Sequence, residues 1–278
     1  MDRPAEQPLS MLSRRHGARG GGHAGSHDRR WQVSQPWPGV ASITAGVVVW
    51  QTLVQTQAVP PYMLPAPLTV AQEWWDLLAS GALWRHLSAT LEEGLLGFVL
   101  ALAVGLVLGY AVAKVRVLAA ALTPYLTAAQ AMPIIALAPL LVMWFGLGLL
   151  PKVIICALIV FFPILVNTVV GLRSIDPEVV EAARSMGAGA WSLLRYIEAP
   201  LALRSILGGV RVGVTLSMTG AVVGEFVASD AGLGYLMNFA RNELDSALVL
   251  AAALTMVGVA MLGYLGVGLL ERLLIDWE

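Results

Sequence analysis

Six long apolar stretches run through this chain, and they restrict its possible folds more than any other feature. The hydrocarbon core of a bilayer is about 30 Å thick, so a helix needs about 20 mostly apolar residues to cross it. The chain has 58% hydrophobic and 13% charged residues, whereas a soluble domain carries about 25% charge. The sequence therefore predicts an all-α, polytopic membrane protein with six transmembrane helices. The predicted spans are residues 40–59, 91–113, 118–145, 151–172, 206–228 and 247–274.

Two parts of the chain depart from a regular span. The third span contains Pro124, Pro133 and Pro139, each of which removes a backbone donor, so we expect it to be bent or broken beside a cavity. Residues 1–38 are rich in Gly, Arg and Pro without an apolar period, which predicts a disordered, basic cytoplasmic tail. Residues 39–278 then form one transmembrane domain.

The distribution of Lys and Arg predicts the orientation. With the N terminus inside, 14 of the 17 basic residues fall on the cytoplasmic side and three on the outer side. Basic residues accumulate on the cytoplasmic side of membrane proteins, which favours an N-in, C-in topology. Residues 68–87 carry Trp and Leu at helical spacing beside charged residues, which predicts an interfacial helix on the outer side.

The longest cytoplasmic loop, residues 173–205, has its own helix signals. Asp176 followed by Pro177 and Glu178 is typical of a helix start, because the first offers an N-cap oxygen and the others suit the first turn. Gly187 and Gly189 are expected to end this helix, since Gly adopts the left-handed conformation readily. A second short helix is predicted over residues 191–197.

The same loop carries a motif with a fixed spacing. Glu-Ala-Ala is followed after three residues by Gly, after nine more by Ile, and after two more by Pro; the positions are Glu181, Ala182, Ala183, Gly187, Ile197 and Pro200. This pattern resembles the EAA motif of permease subunits of bacterial ABC importers. The family has Leu before the final Pro, where this chain has Ala199.

The resemblance extends beyond the loop and covers residues 64–277. Within the family, this sequence is similar to the branch that handles nitrate, sulfonates, taurine, thiamine pyrimidine precursors and riboflavin. Residues 90–98, 144–152 and 161–174 carry this finer likeness, and Glu93 stands where sulfonate-type members tend to have Arg.

The resemblance implies a coupling helix that docks on an ATP-binding subunit. Glu181 would then be a polar contact or an acid that orients the helix, Ala182 and Ala183 would permit close approach, and Gly187 would make the turn. The alternative is that Glu181 forms only a solvated pair with Arg184, three residues on. The implied partners are two ATP-binding subunits, an extracytoplasmic solute-binding protein, a second permease copy in a homodimer, and the lipid bilayer, but no nucleic acid.

Polar residues inside the spans are candidates for the translocation pathway, because buried polar groups at membrane depth usually face a cavity or a partner. They are Gln130, Asn167 and Glu225. Two of them have an alternative, structural role. Glu225 would be an acid that is hydrogen-bonded near residues 232–234, and Asn167 would form a hydrogen bond between two packed helices. The spans hold no Arg cluster, which favours a neutral planar solute such as riboflavin or a thiamine pyrimidine precursor. Nitrate, a sulfonate or taurine is the alternative.

Other function classes fit less well. The two lysines, Lys114 and Lys152, are each followed by Val, so the chain has no phosphate-binding loop and the motor is expected in another subunit. The spans hold no acid-base or metal-binding constellation, so we expect no enzyme activity, catalytic residue, metal or cofactor. A secondary transporter would need inverted repeats and central coupling charges, which the six spans lack.

Overall fold

The structure is a computed structural model that describes residues 37–60, 62–227 and 229–275. The predicted tail lies outside the described residues except for its last two positions. All regular structure in the described ranges is helical. The helices are α1 (Trp37–Gln55), α2 (Pro67–Ala79), α3 (Ala82–Lys114), α4 (Arg116–Ala131), α5 (Ile134–Phe145), α6 (Leu149–Arg173), α7 (Pro177–Ser185), α8 (Ala190–Leu193), a π-helical segment (Leu194–Glu198), α9 (Ala199–Val227), α10 (Leu233–Asn242) and α11 (Ser246–Leu274).

Helix length and apolarity agree with a multi-span membrane protein. Five helical runs are long and apolar enough to cross a bilayer alone, namely α1, α3, α6, residues 190–227 and α11. Helices α4 and α5 make a sixth only as a pair, bent by 95°. The break falls at Met132 and Pro133, where both residues are extended, because the proline ring disfavours helical geometry in the residue before it. Pro124 and Pro139 lie inside helices. Only one of the three prolines therefore coincides with the bend.

Helix α1 is divided between two units of the structure. Residues 37–45 belong to one unit and residues 46–275 to the other. No side chain of α1 is buried.

Helices α3 and α6 pack in parallel along a row of small residues. Gly97, Ala101, Gly105 and Gly109 recur every four residues, which places them on one face of α3 and allows close backbone approach. A Cβ built at the three glycines would lie under 3.0 Å from side chains of α6. The facing pairs are Gly97 with Cys156, Gly105 with Ile164 and Gly109 with Thr168.

Helix α9 packs against α6 in the opposite direction. Gly209 lies against Asn167, Gly220 against Cys156 and Gly224 against Lys152, so the position on α6 falls as the position on α9 rises. Because α3 and α6 run the same way, residues 115–148 must carry the chain back along the whole bundle. The chain therefore passes between the two ends through the bent pair of α4 and α5, which covers the segment that the sequence predicted as its third span.

The bundle has two distinct ends. The loop end carries residues 174–198, where α3 and α6 finish and α9 begins; the far end carries α10, where α3 and α6 begin and α9 finishes. The predicted interfacial helix over residues 68–87 is shorter than expected, because α2 stops at Ala79 and a turn at Ser80 and Gly81 (φ +76°) separates it from α3. Trp84 therefore belongs to α3. Trp74 of α2 donates its indole N–H to Thr255 of α11, 3.0 Å away.

Candidate functional site

Helix α7, at the loop end, begins and ends as the sequence predicts. The Asp176 carboxylate accepts a hydrogen bond from the Glu178 backbone N–H at 2.9 Å, and Pro177 occupies the first turn. Gly187 has φ +88°, and its N–H donates to the Arg184 carbonyl at 2.9 Å. Gly189 plays a different part from the one expected, since it has an ordinary φ of −72° and is the N-cap residue of α8.

The motif residues occupy one compact unit with different exposures. Glu181, Ala182 and Gly187 are exposed and Ala183 is buried. Ile197 and Pro200, at the other end of the motif, are half-buried. The unit as a whole therefore presents the Glu181 side outward.

The same unit exposes large apolar side chains. Val179, Met186, Trp191 and Tyr196 are 44%, 83%, 69% and 71% exposed, respectively. We call these four residues the loop surface. Large apolar side chains exposed within one loop are typical of an interaction site.

The last residue of the loop, Glu198, is a buried acid that was not predicted from the sequence. The predicted helix over residues 191–197 is a single turn of α8 followed by the π-helical segment, whose last residue, Glu198, is fully buried. Its Oε1 lies 2.5 Å from Lys114 Nζ, and Tyr110 donates its hydroxyl to Oε2 at 3.2 Å. The signal available in sequence was weak, because Lys114 lies 84 residues away. A π-helical turn often accompanies a functional site.

The far end holds a second buried ion pair. Lys152 Nζ lies 2.6 Å from Glu93 Oε1 and donates to Ser229 Oγ at 2.8 Å. A cavity of about 460 Å³ opens beside it, lined by Leu147, Gly148, Lys152, Ser229 and Asp230. The charge count from sequence treated Lys152 as an outer loop residue, but it is buried and neutralised.

Glu225, also at the far end, is fully occupied by structural partners. Thr90 donates its hydroxyl to Oε1 at 2.6 Å, and the backbone N–H groups of Gly234 and Tyr235 donate to Oε2. Gly232 has φ +119°, and a Cβ there would lie 2.2 Å from the Glu225 carboxyl carbon. Glu225 thus holds the start of α10 against α3 and α9. The geometry favours the structural alternative that the sequence left open for this residue.

The three predicted pathway residues do not form one group. Gln130 is exposed near the end of α4, and Asn167 is half-buried where α6 meets α9. The side-chain amide of Asn167 donates to the Pro163 carbonyl at 2.8 Å, and the backbone carbonyl of Asn167 accepts from the Ser205 hydroxyl at 2.9 Å. Asn167 lies 15 residues along α6 from Lys152, or about 22 Å at the rise of an α-helix. Asn167 and Glu225 therefore belong to opposite ends of the bundle.

Comparisons with known proteins agree on one family. Residues 101–276 match the family described as binding-protein-dependent transport system inner membrane component. The riboflavin transport system permease protein RibX of Chloroflexus aurantiacus is 49% identical over 87% of this chain and 91% of its own. The formylaminopyrimidine transport permease protein ThiX of Halalkalibacterium halodurans is 34% identical, covering 84% and 92%. The taurine transport system permease protein TauC of Escherichia coli is 29% identical, covering 90% and 93%.

A solved structure has the same fold. The MetNI methionine ABC transporter, in inward-facing conformations, contains a chain that superposes with a TM-score of 0.58 at 20% identity. The superposition covers 69% of this chain and 94% of that chain. The bundle described above is thus a fold already seen in an importer.

Proposed function

The chain belongs to the family of binding-protein-dependent transport system inner membrane components, and we propose that the solute it translocates is riboflavin or a thiamine pyrimidine precursor. It is the permease subunit of an ABC importer, a multi-pass protein of the bacterial inner membrane. Its relatives are transport permeases, and the family works with ATP-binding subunits and a solute-binding protein. The 49% identity to a riboflavin permease over nearly the whole of both chains carries the proposal for the solute.

The charges inside the bundle support a neutral solute over an anion. Lys152, in the first turn of α6, and Arg211, in the middle of α9, are each bonded to a carboxylate, Glu93 and Glu271 respectively. A pathway that held nitrate or a sulfonate tightly would need free cations or helix N-termini. The alternative is an anion importer, favoured by the 35% identity to an aliphatic sulfonates permease of Escherichia coli over 90% of this chain.

Complementation tests the solute directly. The chain is expressed with its cognate ATP-binding subunit and solute-binding protein in a riboflavin auxotroph, and in a second strain that requires the thiamine pyrimidine. We expect growth at a limiting concentration of one of these two solutes. Growth rescued only by taurine or an alkanesulfonate as sole sulfur source, or nitrate as sole nitrogen source, would refute the vitamin proposal and leave the permease function intact.

We propose that α7 and the loop surface dock on the ATP-binding subunit. Glu181, Ala182, Ala183, Gly187, Ile197 and Pro200 form the coupling segment. Gly187→Val should uncouple transport, because a β-branched residue is strained at φ +88°. Gly189→Val is the matched control, because Gly189 has an ordinary φ of −72° and nothing lies within 4 Å of an added Cβ. Equal solute uptake by both variants in membrane vesicles would refute the assignment.

We infer that Gln130 and Asn167 line the translocation pathway. Glu225 contributes indirectly, because it binds the start of α10 to α3 and α9. Gln130→Ala should raise the KM for uptake, because the exposed amide can bond a passing solute. Glu225→Gln should instead reduce the amount of folded protein, because a neutral amide cannot accept two backbone N–H bonds on one oxygen as strongly. An unchanged KM for Gln130→Ala would remove this residue from the pathway.

We infer an N-in, C-in orientation and a homodimer. Cys156 is fully buried, so cysteines introduced at Ser185 of α7 and Asn242 of α10 can be labelled selectively. An impermeant thiol reagent should label position 242 but not 185 on intact cells, and the reverse would overturn the orientation.

Two copies are expected because α4, with Gln130, has no buried side chain in a single copy. Differently tagged copies should purify together, and recovery of one tag alone would contradict the homodimer.

A further inference from the structure

We propose that Glu198 is a positioning residue that joins the coupling segment to the last turn of α3, so that α3, α6 and α9 move as one body when the ATP-binding subunits close. The inference rests on the proposed docking of α7. We call Glu198, Lys114 and Tyr110 the α3 anchor. Helices α6 and α9 are already continuous with the loop, but α3 lies far away in sequence.

The α3 anchor uses both oxygens of one buried carboxylate. Lys114 lies at 2.5 Å from Oε1 and Tyr110 at 3.2 Å from Oε2, while Glu198 itself has no exposed surface. Lys114 and Tyr110 are four residues apart, so their side chains lie on one face of α3. A single turn of α3 therefore supplies both partners.

The beginning of the loop is held at the same turn. Arg173, the last residue of α6, donates from Nη2 to the Val112 carbonyl at 3.2 Å. The chain leaves α6 at Arg173 and re-enters the bundle at Glu198, and both residues bond within residues 110–114 of α3. Residues 174–197 thus form a unit whose two ends share one attachment point.

A simple packing role does not explain a carboxylate at this position. A buried ion pair is often no more stabilising than well-packed apolar residues of similar volume, since both charges lose hydration. What the pair adds is a bond of fixed direction between two elements. The attachment also falls at the end of α3, because Val115 is extended (φ −105°, ψ 104°) and interrupts the helix before α4. Motion passed to Lys114 therefore reaches the joint that leads into α4 and α5.

A distance measurement within one chain tests the proposal without knowledge of the solute. Spin labels are placed at Ser88, exposed near the far end of α3, and at Ser185 of α7, in the complete complex in nanodiscs. Labelled permease is diluted with unlabelled copies so that only pairs within one chain contribute. In the parent protein we expect the same distance distribution without nucleotide and with ATP and vanadate. In Glu198→Ala we expect the distribution to shift or broaden when nucleotide is added.

Matched variants separate this effect from general loss of structure. Lys114→Met removes the cation, whose side chain is 31% exposed, and should reproduce the nucleotide-dependent broadening. The exchanged pair Glu198→Lys with Lys114→Glu should restore a single distribution. Glu271→Gln breaks the Arg211–Glu271 pair between α9 and α11, which lies outside the α3 anchor, and should leave the distribution unchanged. The ratio of ATP hydrolysis with and without riboflavin-loaded binding protein is a second readout, used once complementation has identified riboflavin as the solute; it should fall about fivefold or more in Glu198→Ala and recover in the exchanged pair.

The outcomes that overturn the proposal differ from those that overturn docking. A parent distribution that shifts with nucleotide, or a Glu198→Ala distribution that does not, refutes the α3 anchor. Docking is read separately from a single label at Ser185, which should lose mobility when the ATP-binding subunit is present. If that label does not respond, the docking proposal fails first.

Discussion

Replacing Lys152 by Met should be among the most damaging single changes in the bundle. The Lys152 and Glu93 side chains are 9% and 3% exposed, and Glu93 Oε2 has no hydrogen-bond partner among the described residues. Lys152→Met keeps much of the side-chain volume but leaves a buried carboxylate without its cation. Removing one partner of a buried pair typically costs about 3–5 kcal/mol, because the remaining charge is uncompensated.

The free energy of unfolding should be measured on the detergent-solubilised permease by titration with a denaturing detergent. Lys152→Met should lower it by about 3–5 kcal/mol, and Glu93→Gln added to the same chain should recover a large part, because the orphaned charge is then gone. The control is Glu271→Gln at the half-exposed Arg211–Glu271 pair, whose loss should cost about 1 kcal/mol or less. A Lys152→Met cost equal to the control, or a double variant no more stable than Lys152→Met, would refute this account of the pair.

Three further predictions concern packing and charge. Gly97→Ala should lower the unfolding midpoint, because the added Cβ would lie 2.5 Å from Cys156 Cβ. This loss should be smaller in a Cys156→Gly background. Gly258→Ala is the control and should leave the midpoint unchanged, because nothing lies within 4 Å of a Cβ at that position. Gly232→Ala should speed hydrogen exchange in α10, because its Cβ would strike the Glu225 carboxylate, whereas Gly81→Ala, at φ +76° without a clash, should not. Burial, with Asp245 and Asp76 nearby, raises the pKa of Glu73, so the folded state binds its proton more tightly. Glu73→Gln should therefore raise the unfolding midpoint at pH 8 but not at pH 3, well below the ordinary pKa of Glu, where the carboxyl is protonated in both states.

Local signals in the sequence were sufficient for the two ends of α7. Asp176 and Gly187 act on backbone groups only a few residues away, so their roles as N-cap and left-handed turn follow from residue type and spacing. The apolar runs likewise predicted the long helices, because the bilayer imposes their length. The end of α2 was missed because Trp84 continues the apolar pattern across the turn at Gly81.

Contacts between distant segments could not be read from the sequence. Lys152 follows Pro151 at the edge of an apolar run, where a loop charge is the ordinary expectation; its burial depends on Glu93, 59 residues away. Glu198 lies between motif residues that the sequence identified, but its burial depends on Lys114. Pairing of this kind is set by the parallel packing of α3 and α6, which a single sequence does not reveal.

The placement of these buried pairs restricts where the bundle can change shape. Helices α3, α6 and α9 are bonded together at both ends, through Glu198 and Arg173 at the loop end and through Lys152 and Glu225 at the far end. In the described residues the α4–α5 pair has no such bonds; Ala138 and Leu141 of α5 make only apolar contacts with Ile155 of α6. The pair is bounded by interruptions of the helix. These lie at Val115, at Met132 and Pro133, and at Gly146 and Gly148, both with positive φ. Because a packed helix body resists internal deformation, a change in access is expected to occur by rotation of the α4–α5 pair about these points relative to α3, α6 and α9.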